Sequence, residues 1–200
     1  MANIDRPCGL KPHSYLNGTP WNGQVREYLV PAADGTALFV GDAVKPYTAG
    51  GTAGTIVNGR DCEGMPAVIQ AAAGDVVIGV VVGFLANQDN LMQKHRPVST
   101  NRIALVVDDP NVIFEIQEVS GGTALTSTEV GLNALLIVGS GNTTTGLSGM
   151  ELDNSTEVTT AESPLRILGL VKRPDNNYGE HAKWMVLLND HSYKAPVAGV

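Results

Sequence analysis

The feature that most limits what this chain can fold into is an internal echo. Gly35-Thr-Ala-Leu38 returns as Gly122-Thr-Ala-Leu125, 87 positions later. The run Val25–Val30 before the first copy matches Val112–Val119 before the second at the same offset. Four further pairs follow in the same order. Gly64-Met65 pairs with Gly149-Met150, and Val77–Val81 with Ile167–Val171. Asp89-Asn90 pairs with Asp175-Asn176, and Arg102–Asp108 with Lys183–Asn189. Their offsets drift only between 81 and 90, as short insertions would make them. Ordered self-similarity at one period is the mark of a duplicated unit. It divides the chain into an N-terminal arm (1–23), a first unit (24–111), a second unit (112–191) and a tail (192–200).

Within each unit the signal is for strands. Val112–Val119 alternates, with Val112, Phe114 and Ile116 on one face and Glu115 and Gln117 on the other. That is the period of a half-buried strand. Val25–Val30, Val76–Val82, Ile103–Val107, Leu165–Val171 and Trp184–Leu188 are short apolar or β-branched runs. They are separated by turn-formers such as Ala49–Gly54, Gly139–Gly146 and Asp175–Gly179. Glycines inside two of the runs predict bulges or close backbone approaches. The two short helix candidates are Thr126–Leu135, with a cap ahead of Glu129, and Asn87–His95, which ends before Pro97; each is either a turn of helix or an irregular loop. The expected fold is mainly β: a β-sandwich or jelly-roll, or a β-barrel, built from two related units of roughly 85 residues with an extended N-terminal arm.

Charge and composition exclude several functions. Asp and Glu outnumber Lys and Arg by 20 to 13, a net charge of −7, which disfavours sequence-independent nucleic-acid binding. The longest apolar run, Val76–Ala86, has 11 residues, far below the ~20 of a membrane-spanning helix. No basic-then-apolar leader opens the chain. Cys8 and Cys62 make no disulfide framework and read as free thiols, with a single bridge between them as the alternative.

The residues offer little chemistry. His13, His95, His181 and His191 lie in no metal-ligand spacing, and no metal or cofactor is expected. Ser148 sits in half of a nucleophile elbow, but Met150 stands where the second glycine belongs. Acidic neighbours disfavour Cys62 as a nucleophile. Carboxylates cluster as Asp108-Asp109 and as Asp89 and Asp175 of the repeat; such acids suit general acid–base work or calcium, and they read more simply as turn residues. No phosphate-cradling glycine motif is present. Asn17, Asn142 and Asn154 head glycosylation sequons that mark exposed loops. Two tryptophans and five tyrosines, dispersed, argue against a sugar-stacking platform. No catalytic residue is assigned.

The arm differs from the rest. Pro7, Pro12 and Pro20 bar a helix or central strand, yet Leu10, Tyr15, Leu16 and Trp21 recur through it. Such a segment either straps its own domain or docks on a neighbour, and these four residues are the candidate contacts.

Several runs resemble those of one family. Arg6–Gly23, Gly35–Val44, Arg166–Asn176 and Ala182–Asn189 are similar to segments of capsid decoration, or cement, proteins of tailed bacteriophages. The resemblance covers most of the chain, with gaps at Ala49–Ala67 and Gly139–Thr160. It implies a structural virion protein without enzyme activity, made in the bacterial cytoplasm and bound to the outer surface of an icosahedral head. Its partners would be the major capsid protein and itself, as a homotrimer first and a homodimer second. Another phage structural part, such as a tail-tube or head–tail connecting protein, is the alternative. An enzyme or a glycan-binding module ranks behind it.

Overall fold

The computed structural model describes residues 3–47 and 55–199. The glycine-rich linker expected over Ala49–Gly54 lies outside the described residues. The chain is mainly β, in antiparallel sheets. Its strands are β1 (Lys11–Tyr15), β2 (Arg26–Val30), β3 (Ala43–Pro46), β4 (Ile56–Val57), β5 (Arg60–Asp61), β6 (Val68–Gln70) and β7 (Gly79–Phe84). They continue as β8 (Arg102–Val107), β9 (Val112–Gln117), β10 (Asn133–Ala134), β11 (Leu136–Ile137), β12 (Glu151–Leu152), β13 (Leu165–Leu170) and β14 (Lys183–Leu188).

One five-stranded sheet runs β2-β8-β7-β3-β6. A parallel bridge from Leu29 to Ala67 brings its two edges together. The second runs β1-β9-β14-β13-β10. After β10 the chain continues as β11, which pairs with β12. A parallel bridge from Glu118 to Leu152 then returns to the end of β9. Each sheet therefore curls on itself. In the second sheet β9-β14-β13-β10 follow the order that β2-β8-β7-β3 take in the first, with β1 added at one edge.

The strand bulges refine how the two units align. The register of β7 on β8 shifts between Val81 and Gly83, and that of β13 on β14 between Ile167 and Gly169. Gly83, not Gly79, thus stands where Gly169 stands, an offset of 86 instead of 90. Gly79 has another task. A Cβ there would lie 2.3 Å from the Val107 carbonyl oxygen, so it lets β7 and β8 approach.

Neither helix candidate forms a helix of any length. Thr126 heads a capping box, but it serves a single 3-10 turn, Ser127–Glu129. Asn87–His95 is a series of turns, with the Asn87 and Asn90 side chains accepting from backbone two residues on.

The core crosses the unit boundary. Ala43, Val77, Val80 and Val107 from the first unit join Phe114, Ile116, Ile167 and Trp184 from the second in one buried cluster. The inside of the first sheet holds a separate cluster around Tyr28, Val30, Val81 and Val106. Backbone pairing also stitches the units. Val40 bridges Leu147, and Val77 bridges His191.

Candidate functional site

The arm is built into the body. Asn3 takes both sides of the loop beyond β13, donating to the Asn177 and Glu180 carbonyls and accepting from the Asn177 amide. The Arg6 amide donates to Gln117 Oε1 at 2.9 Å. This crossing corrects the expectation of a half-buried β9. Its polar face is covered, with Gln117 at 2 % exposure and Glu115 held by Arg173 at 3.1 Å.

Two glycines then seat the arm. Gly9 and Gly41 both have left-handed backbones, with φ of +67° and +99°. A Cβ on Gly41 would lie 2.2 Å from the Cys8 carbonyl oxygen, so only glycine permits the approach. The Leu10 amide donates to the Gly41 carbonyl at 2.9 Å. β1 follows as an edge strand on β9, which tolerates Pro12 because its ring needs no ladder donor there. The chain reverses through Asn17-Gly18, with the Tyr15 amide donating to Thr19.

The four candidate contacts separate by depth. Leu10 is inside the common core at 1 % exposure, so it packs within its own chain. Tyr15 and Trp21 are half-buried against that core. Leu16, at the hairpin tip, remains 49 % exposed. At the arm's root Cys8, Leu10, Pro12, Trp21, Val82 and Leu147 border a largely apolar groove of about 340 Å³.

The groups that suggested chemistry have structural partners. Asp108 Oδ2 accepts from the Tyr28 hydroxyl at 2.8 Å and pairs with Arg26 at 3.0 Å. Burial raises the Tyr28 hydroxyl's pKa well above its ordinary value, so it stays a donor. Asp109 Oδ1 takes the Asn111 amide and side chain, closing its own turn. Tyr15, Tyr28 and Tyr193, dispersed in sequence, converge here. Tyr15 and Tyr193 line a polar cleft of about 510 Å³, and the Tyr193 hydroxyl reaches Tyr28 at 3.2 Å. Ser148 is buried, and its hydroxyl accepts from the Met150 amide at 2.9 Å. Asn154, buried at 3 %, donates to the Val119 carbonyl and is no exposed sequon. Both thiols are free, Cys8 half-buried and Cys62 buried.

Asp5, Glu151 and His181 form the one cluster with metal-ligand spacing among the described residues. The Gln117 amide occupies its middle, 2.9 Å from both carboxylates. The Arg6 amide fixes Gln117 in that orientation. The cluster is therefore satisfied by hydrogen bonds as it stands.

Several buried charges escaped the sequence reading, Glu118, Arg96 and Arg102 among them. Glu118 is fully buried, accepts from the Trp184 indole at 2.6 Å, and has one oxygen without a partner. Burial pushes its carboxyl up to about 7 against that hydrogen bond. The signal was legible, since Glu118 shares the parity of Val112, Phe114 and Ile116. Arg96, fully buried, caps carbonyls of Pro31, Asp34, Thr36 and Thr100. Arg102 lies over the Phe84 ring and donates to carbonyls of Leu85, Gln93 and His95. No nearby sequence pattern marks either arginine, because their acceptors are backbone oxygens. No described helix is long and apolar enough to cross a membrane. Comparison with protein-family models, curated proteins and solved structures finds no match for this chain.

Proposed function

We propose that this chain is a structural component of a tailed-phage virion. In this reading it lies on the outer surface of the head and stabilises contacts between major capsid subunits. It self-associates there, as a trimer before a dimer. The observation that carries the reading is the form of the N-terminal run, one of the runs that resemble the family. Its root is fixed by Leu10 and the Gly9–Gly41 approach, while its tip presents Leu16 to solvent. A rigid mount that holds out an apolar side chain suits a contact with a neighbouring subunit. The partners already taken by Asp108, Asp109 and Ser148 agree with a part whose polar groups serve the fold.

The test is rupture of heads, by heat or osmotic shock, with and without the protein. Heads carrying it should rupture at higher stress, and equal rupture points would overturn the reading. Leu16→Asp should fold normally and occupy heads about ten-fold more weakly, since a desolvated charge costs at least ~1.4 kcal/mol. Unchanged occupancy would remove the hairpin tip from the contact.

A further inference from the structure

The polar cleft that Tyr15 and Tyr193 line is assembled from separate stretches of chain. Tyr15 ends β1 and Arg26 opens β2. Asp108 and Asp109 belong to the connection between the units, and Tyr193 comes from the tail. Ligand clefts favour such junctions, and about 510 Å³ lies within the ~300–1,000 Å³ of small-molecule sites. Dispersal of the tyrosines along the sequence argues against a sugar platform only until the fold gathers them.

The walls are held before any ligand arrives. The Tyr15 hydroxyl lies 2.9 Å from Asn22 Oδ1 and 3.1 Å from Gln24 Oε1. Opposite it runs one chain of contacts, from Tyr193 to Tyr28, from Tyr28 to Asp108 and from Asp108 to Arg26. These bonds use the tyrosine hydroxyls, so what the rings still offer a ligand is apolar surface. Side chains fixed in this way bind without a large ordering cost.

Around the rings stand unspent polar groups of both kinds. Arg26, its side chain 63 % exposed, gives only Nη1 to Asp108, and Gln24 Nε2 has no partner among the described residues. These two donate. Asp108 Oδ1 and Asp109 Oδ2 are likewise unpartnered there, and they accept. The charges of Arg26 and Asp108 offset each other. Asp109 adds one more, with its other oxygen engaged by Asn111. An anionic ligand would meet two carboxylates, and a cationic one the Arg26 guanidinium. A sugar ring is neutral, its hydroxyls both donate and accept, and its CH face packs on aromatic rings. We propose that this cleft binds a neutral saccharide. The site goes beyond the head reading and does not depend on it. On a surface carrying many copies, weak binding at each would add up.

The experiment uses the purified full chain with ring-labelled tyrosines, observed by NMR. The probes are cellobiose, lactose, mannobiose and chitobiose, each added to ~50 mM, well past half-saturation of a millimolar site. At least one should shift Tyr15 and Tyr193 saturably, while Tyr47 and Tyr178, which do not line the cleft, stay put. Tyr193→Ala should weaken that binding about ten-fold. Tyr28 keeps Asp108 in this variant, so the fold is retained. Tyr193→Phe preserves the ring and should bind within about two-fold of the parent. Tyr178→Ala, an exposed ring outside the cleft, should bind like the parent.

Unmoved Tyr15 and Tyr193 rings with all four sugars would overturn the site. So would shifts spread evenly over all five tyrosines, or parent-like affinity in Tyr193→Ala. Uracil, flat and polar but no sugar, is the counter-probe. If it half-saturates the same rings at a lower concentration than the best disaccharide, the cleft does not select saccharides and the proposal fails.

Discussion

Glu118 carries a clear electrostatic cost in one side chain. Its carboxyl sits beneath the Trp184 indole with one oxygen unpartnered. The folded-state pKa, about 7, lies above the ordinary 4.5, so ionisation opposes folding. The penalty is absent below pH ~4.5, grows as pH rises towards 7 and is complete above it, at about 3 kcal/mol. Glu118→Gln keeps an acceptor for the indole and cannot ionise. Thermal melts at pH 8 should show the variant more stable than the parent, with the difference vanishing near pH 4. A parent whose stability does not fall between pH 5 and pH 8 would contradict this. The opposite design holds Arg96, whose charge stays buried because backbone oxygens surround its guanidinium. Such charges mark where local pattern ends. Glu118 could be placed by strand parity, but which carbonyls would meet Arg96 depends on how loops 31–36 and 97–100 close.

The arm hairpin shows how much one element's role depends on depth. Leu10→Ala removes a fully buried side chain at the joint of both units and should cost about 2–5 kcal/mol. Leu16→Ala, at the tip, should change stability by less than ~0.5 kcal/mol. Denaturant titration of the two variants measures the contrast, and equal losses would show that the arm is not anchored as described. Deleting the whole arm would confuse the two roles, since it strips both the anchor and the tip. At this scale the sequence was informative where side chains alternate. The main strands fell within a few residues of their predicted runs. It left 87–95 open between a turn of helix and an irregular loop. Leu91 and Met92 belong to Asx-stabilised turns and face water, because the Asn87 and Asn90 side chains take backbone amides there. The cover over Gln117 could not be foreseen either, since it comes from a segment more than a hundred residues away.

The whole molecule should unfold as one. Ala43, Val80 and Val107 share a core with Phe114 and Trp184, so neither unit can open without exposing the other. Calorimetry should give a single transition with matching calorimetric and van't Hoff enthalpies. Two resolved transitions would show that the shared core does not couple the units. The repeated strand order was partly visible in the sequence echo, but the shared core was not, because the repeat describes each unit and not their contact. The two chain ends extend this union. The first strand of the chain, β1, completes the second sheet by pairing with β9. The last stretch comes back, with Val77 bridging His191 and Tyr193 meeting Tyr28 in the first unit. The covalent connection through Asp108–Asn111 is thus only one of several ties. A protease that severed it would leave two interlaced fragments, each holding a piece of the other's structure, migrating as one particle until a denaturant pulled them apart.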